Sequence, residues 1–355
     1  MDFSKHPLSV FLSRLLHSFG IFLFCLIFIP GCSQTPETTS FTAMNTFMTV
    51  KSYGRNAKNA NQEVQKEIER LEKILSTTLE ESEVWEINNS ESSSFTLSSE
   101  TAFLLEQSRR FYELSGGAFN PALYPVIREW GFTTENYKVP EAGRIQELLE
   151  LTDFSQVILE GNTVYRPTGL QLDFGAIGKG FAGDRAIELL QQNGIKSALL
   201  DFGGNIQVLG SKPDGSAWTV GIKNPWGDET QAGTSSAPVA AVKLRDACII
   251  TSGGYERFFI AEDGHKYIHL FDSTTGRPVE NELESVTIIC KQGLYGDALS
   301  TSLFVMGKDK AVKFWQNTRN FDFVLLTKNR QLIYSAPLKE VITLLFDFSS
   351  VQIIE

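Results

Sequence analysis

Residues 172–182, with the sequence LDFGAIGKGFA, constrain the fold of this chain more than any other stretch. The apolar residues 170–174 predict a buried strand, and the glycines that follow predict a tight turn into a helix. Glycine lets the backbone approach a ligand closely, and the start of a helix offers free N–H groups to an anion. Lys179 adds a positive charge and Asp173 adds a carboxylate at the strand end. The stretch therefore predicts a site for a phosphate-bearing ligand.

This stretch differs from both standard phosphate-binding motifs. A P-loop has serine or threonine directly after its lysine, whereas Gly180 follows Lys179 here. The dinucleotide fingerprint is GxGxxG, whereas the spacing here is GxxGxG. Taken alone, a glycine-rich turn without a ligand remains an equal alternative.

The N-terminal residues predict export. Lys5 and Arg14 precede an apolar run, residues 19–29, that is shorter than the roughly 20 residues of a membrane-spanning helix. These are the proportions of a secretory signal peptide. Cys32 follows Gly31 at its end, which resembles the lipobox of bacterial lipoproteins. The alternatives are an ordinary signal peptide or an uncleaved anchor.

These features divide the chain into three parts. Residues 1–31 are predicted to be a lipoprotein signal peptide, residues 32–40 a polar tether and residues 41–355 a single folded domain. Lipid on Cys32 would hold the protein to a membrane of the bacterial cell envelope, on the periplasmic face in a Gram-negative cell. Loss of the signal peptide changes the net charge from −10 to −11, because it carries two basic residues and one acidic residue. An acidic surface argues against a nucleic-acid partner.

The pattern of helices and strands predicts an α+β fold with largely antiparallel sheet. Amphipathic or capped patterns predict helices at residues 61–75, 99–114, 181–192 and 294–306. Strands are predicted at 156–159, 163–166, 198–201, 206–209, 218–222, 240–244, 248–251, 257–260, 267–271, 286–290, 323–327 and 331–335. Short turns join several of these strands, which favours hairpins over βαβ units. Cys248 and Cys290 lie in two of them and are predicted to be buried free thiols, although export would permit a disulfide.

Two further groups of residues suggest chemistry. His269 lies in the predicted strand 267–271; a lone strand histidine is more often structural, but histidine titrates near neutral pH. Asp297 and Thr301 are four residues apart on a predicted helix, so they share one face, with Ser300 beside them. Such oxygen ligands suit Mg²⁺, which takes few protein ligands together with phosphate and water. Helix capping is the alternative interpretation.

Seven segments in chain order resemble one protein family. They are residues 43–50, AMNTFMTV; 115–132, SGGAFNPALYPVIREWGF; 172–182; 201–205, DFGGN; 251–255, TSGGY; 269–276, HLFDSTTG; and 296–301, GDALST. Over residues 41–306 the chain resembles the ApbE family, the FAD:protein FMN transferases, whose T-fold-like α+β architecture it is then expected to share. The chain departs from the family pattern at Asn45, Thr78, Asn120 and Ser273.

The resemblance implies a reaction. FAD is the donor, Mg²⁺ binds its pyrophosphate, and a threonine or serine hydroxyl of a partner protein attacks the FMN phosphorus while AMP leaves. The partner is typically a subunit of a redox-driven ion pump. Two alternatives remain: a Mg²⁺-dependent FAD pyrophosphatase, in which water attacks, and a non-catalytic flavin-binding lipoprotein.

The resemblance also implies site residues. The metal ligands would be the carbonyl oxygen of Ala176 and the side chains of Asp297 and Thr301, with Ser300 adjacent. Contacts to the flavin nucleotide are implied for Met44, Thr78, Ala118, Phe119, Asn120, Asp173, Lys179 and Phe271. His269 is the candidate for orienting or deprotonating the incoming hydroxyl.

Overall fold

The core of the molecule is a nine-stranded sheet in the order β1-β2-β6-β7-β10-β15-β16-β17-β19. Its strands are β1 Glu37–Ala43, β2 Thr46–Tyr53, β6 Ser197–Phe202, β7 Asn205–Gly210, β10 Ala247–Gly253, β15 Leu283–Cys290, β16 Asp322–Thr327, β17 Gln331–Ser335 and β19 Ser350–Ile354. Every neighbouring pair is antiparallel except β17 and β19, which run parallel. The predicted α+β class with mostly antiparallel sheet is confirmed.

This computed structural model describes residues 35–227 and 237–355. The signal peptide predicted for residues 1–31 and the lipidation predicted at Cys32 lie outside these residues. Strand β1 begins at Glu37, so the last four residues of the predicted tether belong to the sheet. Within the described ranges, no helix combines the length and the apolar character needed to cross a membrane.

Eight α-helices are described. They are α1 Ala57–Leu75, α2 Glu83–Asn89, α3 Ser99–Leu114, α4 Tyr124–Glu129, α5 Ala142–Leu149, α6 Gly178–Gln192, α7 Gly293–Met306 and α8 Lys308–Thr318. Helix α3 has the predicted bounds, because the Ser98 hydroxyl accepts the Thr101 N–H at its start. Helix α1 buries the predicted apolar face of Val64, Ile68 and Leu71. The four helices predicted from sequence are therefore all present.

The two faces of the large sheet pack against different partners. Side chains alternate along a strand, so Ile288 of β15 lies in the core cluster that also contains residues of α1, α6 and α7, whereas Ile289 faces the other way. That second face packs against a three-stranded sheet of β8 Trp218–Ile222, β9 Ala240–Leu244 and β18 Ile342–Leu344. The remaining strands form three smaller sheets. One contains β3 Ser94–Thr96, β4 Ile158–Glu160 and β5 Thr163–Tyr165. The other two are the hairpin pairs β11 Phe258–Ile260 with β12 Lys266–Ile268, and β13 Phe271–Asp272 with β14 Arg277–Pro278.

Two strand predictions were wrong, and both concern residues near the site. Residues 170–174 form no strand, because the side chain of Asn88 takes the place of a strand partner. Its amide nitrogen donates to the Leu172 carbonyl and its oxygen accepts the Leu172 N–H, both at 2.7 Å. The predicted strand 267–271 is interrupted between β12 and β13, and His269 lies in the interruption.

Candidate active site

A cavity of about 630 Å³ opens where two hairpin turns meet the beginnings of helices α6 and α7. The first turn joins β1 to β2 through Met44 and Asn45, which have left-handed φ angles of 49° and 55°. The second joins β6 to β7 through Gly203, at a φ of +64°. A Cβ at Gly203 would lie 2.2 Å from the Thr46 hydroxyl, so only glycine lets the two turns touch.

Most of the residues predicted for the site line this one cavity. They are Met44, Ala118, Phe119, Asn120, Asp173, Ala176, Lys179, His269, Phe271, Asp297 and Thr301. Strands, loops and helix starts from distant parts of the sequence bring these side chains together.

The predicted metal ligands Ala176, Asp297 and Thr301 line the cavity together with Asn205, and this group is called here the metal wall. Asp297 is buried, and its two carboxylate oxygens accept the Gly180 N–H at 2.8 Å and the Asn205 amide at 3.0 Å. A Cβ at Gly180 would lie 2.2 Å from the Gly293 carbonyl oxygen, so this glycine lets α6 approach α7 closely. The carboxylate is thereby held in one orientation.

The metal wall has a donor set that suits a hard cation. A carboxylate at Asp297, a hydroxyl at Thr301 and the backbone carbonyl of Ala176 are all oxygen donors, which Mg²⁺ prefers. In the part of the chain that the structure describes, no three His, Cys, Asp or Glu side chains gather as metal ligands. A cation here would therefore depend on phosphate and water for most of its coordination, as is usual for Mg²⁺.

Lys179 and Asp173 lie beside the metal wall. Lys179 is in the first turn of α6, where the helix dipole also favours an anion. Asp173 accepts the Gly175 N–H at 2.8 Å. Burial raises the pKa of Asp173, while this hydrogen bond and the charge of Arg257 oppose the rise. The N–H groups of Gly178 and Gly180 at the helix start already donate to the Phe174 carbonyl and to Asp297, contrary to the free N–H groups expected from the sequence. The positive charge of Lys179 is therefore the feature that can hold a phosphate here.

A second group of lining residues, called here the histidine wall, consists of Phe132, Arg257, His269 and Phe271. The Arg257 carbonyl oxygen is 3.0 Å from Nδ1 of His269 and accepts the His269 backbone N–H at 3.1 Å. Because a carbonyl only accepts hydrogen bonds, Nδ1 carries the proton and Nε2 keeps a free lone pair. Removal from water lowers the pKa of His269 to about 4; the bond to the carbonyl opposes this change, and the charges of Arg257 and Lys179 add to it. His269 is therefore neutral at pH 7 and can accept a proton.

A cluster of aromatic rings supports the histidine wall. The ring of Phe271 lies 5.7 Å from Phe132 and 5.9 Å from Trp130, measured between ring centres. The indole nitrogen of Trp130 donates to the Gly276 carbonyl at 3.0 Å, which fixes the turn after β13. This packing holds the irregular segment that contains His269.

The model for the ApbE family matches residues 44–325. The chain belongs to the ApbE family. It is 34% identical over 274 residues to the FAD:protein FMN transferase of Klebsiella pneumoniae, covering 76% of this chain and 83% of that protein. The enzyme of the same name from Treponema pallidum is 34% identical over 286 residues, covering 76% of this chain and 77% of the relative.

Solved structures of ApbE proteins share the fold. The ApbE protein of Thermotoga maritima superimposes with a TM-score of 0.79 at 29% identity, over 86% of this chain and 99% of the other. The flavin transferase ApbE of Vibrio cholerae gives 0.76 at 26% identity, over 86% of this chain and all of the other.

Two predicted site residues, Thr78 and Ser300, do not line the cavity of this ApbE-family chain, and a third, Asn120, lines it with its side-chain amide bonded to the backbone. Thr78 is exposed and does not line the cavity. Ser300 is buried behind the metal wall, where its hydroxyl donates to the Asp297 carbonyl at 2.9 Å and lies 2.8 Å from the Ser252 hydroxyl. Asn120 does line the cavity, but its amide nitrogen donates to the Thr152 carbonyl and its oxygen accepts the Ala122 N–H. The side chain of Asn120 thus stabilises the loop in which it lies.

Several residues of this ApbE-family site were not predicted. Asn205 is the last residue of the family segment DFGGN. Its position in that segment is the sequence feature that could have identified it as a residue of the metal wall. Arg257 follows the segment TSGGY by two residues and lines the cavity; its guanidinium donates to the Phe132 carbonyl. Lys223 also lines the cavity, with its ammonium 4.8 Å from the ring centre of Tyr255. No periodicity or spacing in the sequence marks Lys223.

Proposed function

We propose that this chain transfers FMN from FAD to a threonine or serine hydroxyl of an acceptor protein and releases AMP. One observation carries the proposal: a single cavity is lined both by oxygen donors, among them the fixed carboxylate of Asp297, and by a neutral histidine. Phosphoryl transfer depends mainly on positioning and on neutralising charge, and this arrangement can do both. Membership of the ApbE family supports the same reaction.

Each wall has its own part in the proposed reaction. The Ala176 carbonyl, Asp297 and Thr301 are the proposed ligands of Mg²⁺, which when bound would neutralise charge on the pyrophosphate of FAD. Lys179 binds the same phosphates. His269 accepts the proton of the acceptor hydroxyl at Nε2, the hydroxyl oxygen bonds to the FMN phosphorus, and the bond from that phosphorus to AMP breaks.

Mass spectrometry tests this function directly. The protein is incubated with FAD, Mg²⁺ and a candidate acceptor, and the intact mass of the acceptor is measured. A gain of one FMN, lost when the target threonine or serine of the acceptor is changed to alanine, is the expected result. Release of FMN and AMP at the same rate without acceptor would instead indicate a pyrophosphatase. Binding of FAD without either product would indicate a flavin-binding protein.

We further propose that the protein is exported and lipid-anchored through Cys32, with a subunit of a redox-driven ion pump as its acceptor. The support is the short apolar run before Gly31 and Cys32, which ends as a lipoprotein signal does. We expect Cys32→Ser to abolish incorporation of a labelled fatty acid in growing cells. Equal labelling of this variant and the parent would contradict the anchor.

A further inference from the structure

Two thiols face each other across neighbouring strands in the centre of the large sheet. Cys248 on β10 is the direct register partner of Cys290 on β15. Their sulfur atoms are 3.3 Å apart, and both residues are free cysteines. Neither residue lines the proposed FAD cavity.

The backbone already has the geometry that a disulfide needs. Directly paired residues of antiparallel strands have Cα atoms about 4.5–5.5 Å apart, within the range of about 4.4–6.8 Å found for disulfides. The pairs Ile249–Ile289 and Ile250–Ile288 follow in the same register, so the two strands are held together beside the thiols. A bond between the sulfurs therefore requires side-chain movement without separation of the strands.

The two thiols differ in access. Cys248 is fully buried, whereas Cys290 is partly exposed and its thiol donates to the Gln292 carbonyl at 3.1 Å. The hydrogen bond to Cys290 and burial raise the pKa of Cys248, which disfavours its thiolate while Cys290 is reduced. An external reagent can therefore reach Cys290 first.

We propose that Cys248 and Cys290 form a thiol–disulfide exchange site that reacts with a small-molecule disulfide. The Cys290 thiol attacks the small disulfide, forms a mixed disulfide and releases one small thiol. The Cys248 sulfur then attacks the Cys290 sulfur and releases the second small thiol. The protein loses two electrons and two protons, and the small disulfide is reduced to two thiols.

The resulting cross-link would stabilise the fold. It would join residues 42 positions apart in sequence, which restricts the unfolded chain. It would also lie beneath helix α7, since a Cβ at Gly296 would be 3.2 Å from the Cys248 sulfur and 3.4 Å from the Cys290 sulfur. We expect the oxidised protein to unfold at a temperature several degrees above that of the reduced protein.

Peptide mapping under defined redox conditions tests the proposal. The folded full chain is equilibrated in mixtures of reduced and oxidised glutathione, alkylated to block free thiols, digested and analysed without reductant. The expected result is a linked pair of peptides containing Cys248 and Cys290, which disappears when dithiothreitol is added before digestion. Its yield should rise with the proportion of oxidised glutathione, and the unfolding temperature should rise with it.

Single variants test the order of attack. In Cys248→Ser, Cys290 should accumulate one glutathionyl group; in Cys290→Ser, Cys248 should remain an unmodified thiol. Neither variant should show the oxidation-dependent rise in unfolding temperature. Alkylation of both thiols at every glutathione ratio in the parent protein would overturn the proposal. So would a linkage of either residue only to Cys25 or Cys32.

Discussion

The two walls of the cavity are built in different ways. In the metal wall, Asp297 accepts hydrogen bonds from the start of α6 and from the start of β7, and it lies on a helix packed against the large sheet. In the histidine wall, His269 lies between two short strands, and its neighbour Phe271 packs in a separate aromatic cluster. The metal wall is thus fixed by the main core, whereas the histidine wall depends on local packing. Substitutions in the two walls should therefore impair the protein in different ways.

The largest effect is expected for Asp297→Ala. FMN transfer should fall to background, because the proposed magnesium site has few protein ligands and would lose its carboxylate. The Gly180 N–H and the Asn205 amide would also lose their acceptor, at a cost of about 1–3 kcal/mol for each buried donor. Transfer rates at limiting Mg²⁺ and the unfolding temperature measure the two effects.

Ser302→Ala is the matched control for the metal wall. Ser302 is buried on the same helix and donates to the Ala298 carbonyl, but it does not line the cavity. It should retain transfer near the parental rate. Parental transfer by Asp297→Ala would contradict the assignment of the metal ligands.

The next largest effect is expected for His269→Ala. The rate of transfer should fall about a hundredfold or more, the usual contribution of one general acid–base group. The dissociation constant of FAD should change little, because most cavity residues are untouched. Both quantities should be measured on one preparation. A variant that transfers FMN normally but folds poorly would assign His269 to structure alone.

The pH dependence of the transfer rate and of stability also tests the role of His269. With a pKa of about 4, His269 of the free protein stays neutral from pH 8 down to about 5, so kcat/KM should form a plateau there and fall only as pH approaches 4. In the unfolded chain, His269 binds a proton near its ordinary pKa of about 6.5. The contribution of neutral His269 to the free energy of unfolding is therefore fully present above that pH. It is lost as pH falls from 6.5 to 4. His269→Gln should remove this loss. A fall in kcat/KM centred near pH 6.5 would contradict the lowered pKa.

The sequence predicted the helix that carries Asp297 and Thr301 better than the strand that was expected to carry His269. Asp297 and Thr301 share a helix face, and four-residue spacing is visible in any sequence. His269 was placed in a continuous strand, because apolar alternation cannot reveal that the strand is interrupted. The strand predicted at residues 170–174 is absent for a similar reason. The side chain of Asn88, far away in sequence, bonds to the backbone N–H and carbonyl of Leu172 that a neighbouring strand would otherwise pair with. Contacts between distant residues decided both cases.

A pair of tryptophan variants tests whether local packing holds the histidine wall. Trp130 donates to the Gly276 carbonyl and Trp315 donates to the Phe321 carbonyl, and both rings are buried. Replacing either with phenylalanine removes one hydrogen bond and leaves a buried carbonyl unpaired, costing about 1–3 kcal/mol of unfolding free energy. Only Trp130→Phe should also slow transfer, by several-fold, because only Trp130 packs against Phe271. Equal transfer rates in the two variants would show that this cluster does not position His269.

The smallest effect is expected for Thr78→Ala, which removes a side chain that belongs to neither wall. Family resemblance implies a flavin contact here, but the structure places Thr78 on the surface, in the loop after α1. Its hydroxyl lies 3.3 Å from the Ser76 hydroxyl, which is an exposed contact of little energetic weight. An exposed substitution of this kind changes the unfolding free energy by roughly 0.5 kcal/mol or less. The dissociation constant of FAD should likewise stay within about twofold of the parent, a change of less than about 0.5 kcal/mol. Tenfold weaker binding would mean that this loop joins the cavity when FAD is bound, which would add a third wall to the two described.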